Sequence, residues 1–150
     1  MKRKKADFLI KRYQLEHLVP LALTIISIYF WFNNFQQTTL YFTGLTINIL
    51  GLFIWWSAKI TLSENWDAGY GQPKIKKLVT QGIYSKICHP LYLGINLTLI
   101  GQCLIHLNLF LIIPSLLIII FFFWRMKLET NFLIKILGKK YLDYQKKTWV

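Results

Sequence analysis

Charged residues are confined to three segments of this chain, and the stretches between them are apolar. Glu16 and Lys59 are separated by 42 uncharged positions, and Lys86 and Arg125 by 38 more. An α-helix rises about 1.5 Å per residue and needs roughly 17–25 residues to cross a hydrocarbon core of about 30 Å. Each uncharged stretch therefore holds a hairpin of two membrane-spanning helices. The pattern predicts four spans, near residues 17–34, 41–59, 90–106 and 109–125.

The turns inside the two hairpins are polar but carry no charge. They are predicted around residues 33–39 and 106–108. All 18 Lys and Arg residues fall on the other side of the predicted membrane. Because cytoplasmic segments are enriched in Lys and Arg, we expect both termini in the cytoplasm. A cleaved signal peptide is disfavoured, since no small-residue cleavage site follows the first apolar stretch.

Glycine and alanine recur at regular spacing on two of the predicted spans. Gly44, Gly51 and Ala58 are seven residues apart on the second span, as are Gly94 and Gly101 on the third. At this spacing they share one helix face, where small residues let transmembrane helices approach closely. We expect these positions to be helix contacts.

Composition agrees with an integral membrane protein of one domain. Hydrophobic residues make up 55% of the 150 residues, more than an ordinary soluble domain of this length carries. The net charge of +12 is compatible with nucleic acid or with anionic lipid as a partner. Because the basic N-terminal tail runs directly into the first predicted span, we expect anionic membrane lipids and no nucleic acid.

The segment that joins the second and third spans contains the first candidate site. Proline biases the residue before it away from helix, so His89 is predicted at the N-cap and Pro90 as the first helical residue. Free amides and the positive dipole end there favour an anionic group such as a ligand carboxylate. Tyr84 and Tyr92 flank this point as rings suited to an adenine or a cation. The alternative is an interfacial aromatic belt with His89 as a cap.

A second candidate cluster lies at the cytoplasmic end of the fourth span. Arg125 and Glu129 are four residues apart and share a helical face at the membrane boundary. One interpretation is an intrahelical ion pair, worth a few tenths of a kcal/mol if exposed. The other is ligand binding, with Glu129 accepting from an amine or ribose hydroxyl and Arg125 orienting a carboxylate or phosphate. The residues alone leave both open.

The C-terminal segment is predicted to form an interfacial amphipathic helix with basic residues around an apolar stripe. Gly138 interrupts this helix and marks a bend. The apolar stripe consists of Phe132, Leu133, Ile136, Leu137, Tyr141 and Tyr144.

In this order the clusters resemble the C-terminal half of the isoprenylcysteine carboxyl methyltransferase and phospholipid methyltransferase superfamily. The resemblance covers roughly residues 76–148. It consists of Leu-Val-Thr-x-Gly-x-Tyr, His-Pro-x-Tyr-x-Gly, a helical hairpin, Arg-x-x-x-Glu and Leu-Gly-Lys-Lys-Tyr-Leu-Asp-Tyr. It implies an all-α, polytopic membrane enzyme of four transmembrane helices plus the C-terminal helix, with a cytoplasmic cofactor-binding part at 76–94 and 125–148.

Enzymes of this superfamily bind S-adenosylmethionine and methylate a lipid-attached acceptor that enters from the bilayer. The resemblance therefore implies S-adenosylmethionine as the cofactor, a lipophilic or lipid-anchored methyl acceptor, and no metal. It implies Arg125 and Glu129 as catalytic residues, with Arg125 against the acceptor. The cofactor-binding residues are expected to be Leu78, Val79, Tyr84, His89, Pro90, Leu91, Tyr92 and Glu129.

The chain departs from the family pattern at two positions, with Cys88 where Arg is usual and Thr130 where a second Glu is usual. Two other hypotheses stay open. One is an NADPH-dependent membrane reductase related to sterol reductases, against which the short chain argues. The other is a non-catalytic member of the fold, against which the retained motifs argue. The compact chain, with no organelle signal, is expected in a bacterial inner membrane.

Overall fold

The computed structural model describes residues 39–62 and 78–149, together with Ile25 and Tyr29. Over these residues every regular element is helical, which confirms the all-α class. The first predicted span, near 17–34, lies outside the described residues except for Ile25 and Tyr29. The elements are α1 (Thr39–Leu62), a 3-10 helix (Gly82–Ser85), α2 (Pro90–His106), α3 (Leu109–Leu137) and α4 (Lys139–Gln145).

Two of these helices are long and apolar enough to cross a membrane. The most apolar stretch of α1 has a mean hydropathy of 1.4 and that of α3 a mean hydropathy of 2.4. Only 6% of that stretch of α3 is buried within the protein, whereas the core helix of a soluble protein would be mostly covered. The exposed apolar surface therefore belongs against lipid. At 17 residues, α2 falls short of the same length, so four spans stay a prediction.

The helices α1 and α2 pack backbone against backbone, because glycine occupies contact positions on both. A Cβ added to Gly51 would lie 2.5 Å from the amide nitrogen of Thr98, and one on Gly94 would lie 2.6 Å from that of Trp55. Ala58 continues the contact and is fully buried. The predicted stripe of helix contacts is confirmed. Such proximity is the usual way in which transmembrane helices gain packing energy where no hydrophobic force drives them together.

One buried hydrogen bond reinforces this contact. The Asn48 Nδ2 donates to the backbone carbonyl of Thr98 at 3.1 Å. The Thr98 hydroxyl in turn donates to the carbonyl of Gly94 at 2.9 Å. The first of these hydrogen bonds joins a side chain of α1 to the backbone of α2, which fixes the register of the two helices.

A tight turn leads from α2 into α3. Leu107 has a positive φ of 44° at the end of α2. Asn108 then caps α3, since its Oδ1 accepts from the amide of Phe110 at 2.9 Å. These residues confirm the predicted polar turn of the second hairpin.

The predicted end of the fourth span is not the end of a helix. α3 runs past Arg125 without a break to Leu137, because the intervening residues are mostly good helix formers and contain no Pro or Gly. The predicted separate amphipathic helix is therefore corrected, since its first half is the end of α3. Gly138 bends the chain with φ 54°, as predicted, and the short α4 follows.

We expect Gly51→Ala and Gly94→Ala each to lower the free energy of unfolding by about 1–3 kcal/mol, the usual cost of overpacking a tight contact. The added methyl meets backbone atoms of the facing helix, so neither helix can yield locally. Reversible unfolding in mixed detergent micelles measures the effect. Ile49→Ala, on the exposed face of α1, is the control and should change stability much less. Equal losses at all three positions would contradict the assigned contact.

Candidate functional site

The chain enters α2 through the predicted residues. His89 is the N-cap, with φ −126° and ψ 62°, and Pro90 is the first helical residue. His89 therefore stands at the cap position as predicted, although its side chain makes no capping hydrogen bond. The first helical hydrogen bond runs from the amide of Leu93 to the carbonyl of His89 at 3.1 Å. The amides of Leu91 and Tyr92 precede it and lie at the positive end of the helix dipole.

The imidazole of His89 turns toward α3 and α4 instead. Its Nε2 lies 2.8 Å from the Thr130 hydroxyl and 3.2 Å from the Tyr141 hydroxyl. The Tyr141 hydroxyl also lies 3.2 Å from the Cys88 Sγ. We call Cys88, Tyr141, His89 and Thr130 the His89 network. Burial lowers the pKa of His89, against an opposing effect of the Glu129 charge, so the ring is neutral at pH 7.

Next to this network, Tyr92 joins the two candidate clusters that the sequence indicated. Its hydroxyl donates to Glu129 Oε2 at 2.6 Å, a short distance typical of a hydroxyl bound to a carboxylate. The side chain of Arg125 lies near the same hydroxyl. Arg125 and Glu129 of α3 therefore lie at the same tyrosine of α2. Glu129 thus has a hydrogen-bond partner outside α3.

Two aromatic rings pack beside the ring of Tyr92. The ring centroids of Tyr92 and Phe122 are 5.9 Å apart, and those of Tyr92 and His89 are also 5.9 Å apart. Both pairs are tilted, which suits the quadrupoles of neighbouring rings. Tyr92 at the start of α2 thus packs against an aromatic ring of α3.

Tyr84 lies under the C-terminal segment. The Tyr144 hydroxyl donates to the carbonyl of Tyr84 at 2.8 Å, and Tyr84 itself is buried. Burial is the main reason that the pKa of Tyr84 is raised, and the charge of Glu129 adds to it. Tyr84 is therefore a neutral phenol close enough to sense the Glu129 carboxylate.

The end of the chain pairs with the loop before α2. The amide of Cys88 donates to the carbonyl of Trp149, and the amide of Trp149 donates to the carbonyl of Lys86, each at 2.8 Å. This single parallel bridge holds the segment after α4 against the candidate site. The segment forms one side of the site.

The remaining predicted residues are partly buried or pack against the cluster beside the site. Leu78 packs against the buried cluster of Cys88, Tyr141 and Tyr144. Val79 and Leu91 are half-buried. In the part of the chain that the structure describes, no group of three or more His, Cys, Asp or Glu side chains could hold a metal.

Sequence reasoning missed the role of two residues that it treated as departures from a pattern. Cys88 and Thr130 both enter the His89 network. Tyr141 was assigned only to an apolar stripe. The signal for this network is a phenol on one helix and a hydroxyl on another, both next to a buried His. Which helices lie next to His89 is known only from the fold.

Two comparisons with known proteins bear on this arrangement. The sequence profile of the family described as phospholipid methyltransferase matches residues 39–140. The protein-S-isoprenylcysteine O-methyltransferase of Dictyostelium discoideum is 30% identical over 137 residues, which cover 86% of this chain. The chain spans 58% of the length of that relative. The matched residues include α1, α2, α3 and the whole contact between Tyr92 and Glu129.

We expect the protein to lose stability as the pH falls below about 6.5, the ordinary pKa of histidine. The pKa of His89 is lower in the folded state, so the unfolded state binds more protons between the two pKa values. The stability is complete above the unfolded pKa and is lost as the pH falls toward the folded one. One proton limits the slope to about 1.4 kcal/mol per pH unit.

Thermal unfolding in detergent from about pH 7.5 to about pH 5 measures this slope. His89→Gln should flatten it, because the amide keeps hydrogen-bonding capacity but does not titrate. The other two His residues remain in both proteins and serve as the internal control. Identical slopes in the two proteins would refute a buried neutral His89.

Proposed function

Because the chain belongs to the phospholipid methyltransferase family, we propose that it is an integral membrane methyltransferase that transfers a methyl group from S-adenosylmethionine to a lipophilic or lipid-anchored acceptor. One observation carries the proposal. Tyr92 of α2 holds the Glu129 carboxylate of α3 at 2.6 Å, beside the N-terminus of α2. A carboxylate fixed at a helix N-terminus next to a lipid-facing helix suits a cofactor with both charges and an acceptor that arrives from the bilayer.

The groups around this contact fit the chemistry of S-adenosylmethionine. The free amides at the start of α2 suit a carboxylate. Glu129 can accept from an amine or a ribose hydroxyl. The rings of Tyr84 and Tyr92 suit an adenine or a sulfonium cation. We assign cofactor binding to these residues together with Leu78, Val79, His89, Pro90 and Leu91.

The bound cofactor would supply an activated methyl carbon. The residues of this chain then have to position and to exclude water. Tyr92 keeps the Glu129 carboxylate in one place, and Arg125 presents a planar guanidinium to an anionic acceptor. Holding two reactants in a near-attack arrangement contributes up to roughly 7–11 kcal/mol to catalysis. The apolar surface of α3 keeps the arrangement dry.

The acceptor that we propose is of the chemical class named in the comparisons. The family name refers to a phospholipid and the name of the relative to an isoprenylcysteine. A carboxylate acceptor requires no general base. A phospholipid amine would have to lose a proton, for which Glu129 is the candidate base.

We further propose the topology and location expected from the sequence. With four spans, both termini would lie on the cytoplasmic side of a bacterial inner membrane. Lys139, Lys140, Lys146 and Lys147 are all exposed on the C-terminal segment. They suit contact with anionic lipid headgroups at that surface.

We expect Glu129→Gln to weaken the binding of S-adenosylmethionine by at least about tenfold, since one charge-assisted hydrogen bond is worth about 1.5–3 kcal/mol. His89→Ala should also weaken binding, because it removes the ring that packs against Tyr92. Isothermal titration of the purified protein in detergent measures the affinity. Asp143→Asn, an exposed carboxylate on α4, is the matched control and should bind as the unchanged protein does. NADPH titrated in parallel should not bind. If neither compound binds, a non-catalytic protein is favoured.

We expect Arg125→Lys to lower methyl transfer at least about tenfold while the affinity for S-adenosylmethionine stays within about twofold. Lysine keeps the charge but loses the planar fork that holds a carboxylate in two hydrogen bonds. Transfer of a labelled methyl group to an S-prenylated N-acetylcysteine, and separately to phosphatidylethanolamine vesicles, measures the activity. A loss of cofactor affinity with no change in transfer from the bound state would assign Arg125 to the cofactor instead.

A further inference from the structure

The His89 network crosses three elements without a gap. It runs from Cys88 Sγ to the Tyr141 hydroxyl at 3.2 Å, on to His89 Nε2 at 3.2 Å, and then to the Thr130 hydroxyl at 2.8 Å. Cys88, His89 and Tyr141 are 4%, 6% and 1% exposed. Bulk water therefore does not compete for the Cys88 Sγ, His89 Nε2 and Tyr141 hydroxyl contacts.

The protons available in the network indicate which atoms donate hydrogen bonds and which accept them. A neutral imidazole has one N–H and one bare nitrogen. If Nε2 carried the proton, it would face the Tyr141 and Thr130 hydroxyls as a donor, and Tyr141 would be left with a sulfur, a weak acceptor. If Nε2 is bare, both hydroxyls donate to it and the Cys88 thiol donates to the Tyr141 oxygen. In the second arrangement each hydroxyl and thiol proton of the network meets a nitrogen or oxygen acceptor, and the Nδ1 proton of His89 lies outside the three contacts.

We propose that Thr130, Tyr141 and Cys88 are positioning residues that hold His89 in the tautomer with the proton on Nδ1. They fix the ring against Tyr92 and, through Tyr92, fix the Glu129 carboxylate. The catalytic consequence rests on the proposed function, but the tautomer and the ring position require no ligand.

The geometry links the network directly to the contact between Tyr92 and Glu129. His89 and Tyr92 are three residues apart at the start of α2, and Glu129 and Thr130 are adjacent on α3. The pairs His89–Thr130 and Tyr92–Glu129 are therefore two consecutive hydrogen-bonded connections between the same helices. The rings of His89 and Tyr92 also touch at 5.9 Å between centroids. A displacement of one connection must displace the other.

The protonation of the other members agrees with this direction. Burial raises the pKa of the Cys88 thiol and, together with the thiol contact, raises the pKa of Tyr141. Both groups keep their protons at pH 7 and act as donors. The network is neutral throughout, so Glu129 and Arg125 are the charges that face Tyr92.

Nitrogen-15 NMR of histidine-labelled protein in detergent, without ligand, tests the tautomer. We expect the His89 signals, assigned by their loss in His89→Gln, to show a protonated Nδ1 and a bare Nε2. In the double variant Thr130→Val/Tyr141→Phe both donors are gone, and the ring should become a mixture of tautomers. Tyr144→Phe removes a buried hydroxyl from the same helix α4 outside the network, and it should keep the tautomer of the unchanged protein.

Titration with S-adenosylmethionine then tests the positioning role. Thr130→Val and Tyr141→Phe should each weaken binding by about 3–10-fold, the range that corresponds to one lost hydrogen bond. Thr130→Ser restores the hydroxyl and should bind within about twofold of the unchanged protein, as should Cys88→Ser. A conservative rescue of this kind distinguishes positioning from a general loss of fold.

The outcomes separate this inference from the proposed function. A proton on Nε2 in the unchanged protein, or an unaltered tautomer in the double variant, overturns the inference even if S-adenosylmethionine binds. Failure of the unchanged protein to bind S-adenosylmethionine overturns the proposed function, and the NMR result still decides the network. Equal binding by Thr130→Val and Thr130→Ser overturns the positioning role.

Discussion

The backbone contact between α1 and α2 is the constraint on which the site depends. Glycine on both helices lets them meet without intervening side chains, so α2 has a defined depth and rotation against α1. This places Pro90 and His89 at a fixed level. α2 also meets α3 through the polar contacts of His89 and Tyr92 at its beginning, and these contacts depend on the position of α2.

The site itself joins an almost fully lipid-facing helix to a buried helix end. A helix such as α3 gains little from apolar burial in a bilayer, since lipid and protein are equally apolar. The hydrogen bonds of Glu129 and Thr130 therefore contribute to its attachment. Tyr141 and Thr130 satisfy the buried His89 Nε2 as neutral groups, without the desolvation cost of an ion pair.

The sequence predicted the helices better than it predicted their contacts. α2 has the predicted bounds because Pro90 begins it and a polar turn ends it, both of which are local signals. α3 was cut short at Arg125, because hydropathy marks where the membrane ends and does not mark where a helix ends. The hydrogen bond from Tyr92 to Glu129 spans 37 positions and depends on the relative rotation of two helices. No spacing in the sequence encodes that rotation, and the resemblance alone indicated that both residues share a site.

Gly138 connects this site to the handedness of the backbone. A Cβ at this position would meet nothing within 4 Å, so space does not reserve it for glycine. Its φ of 54° and ψ of −132° are the mirror image of an ordinary extended conformation, which an L-residue avoids and a D-residue prefers. A D-alanine introduced by chemical synthesis would therefore preserve the bend that returns Tyr141 to His89, while L-alanine of identical volume would oppose it. The bend that brings Tyr141 to His89 therefore depends on a backbone conformation that the configuration of residue 138 can favour or oppose.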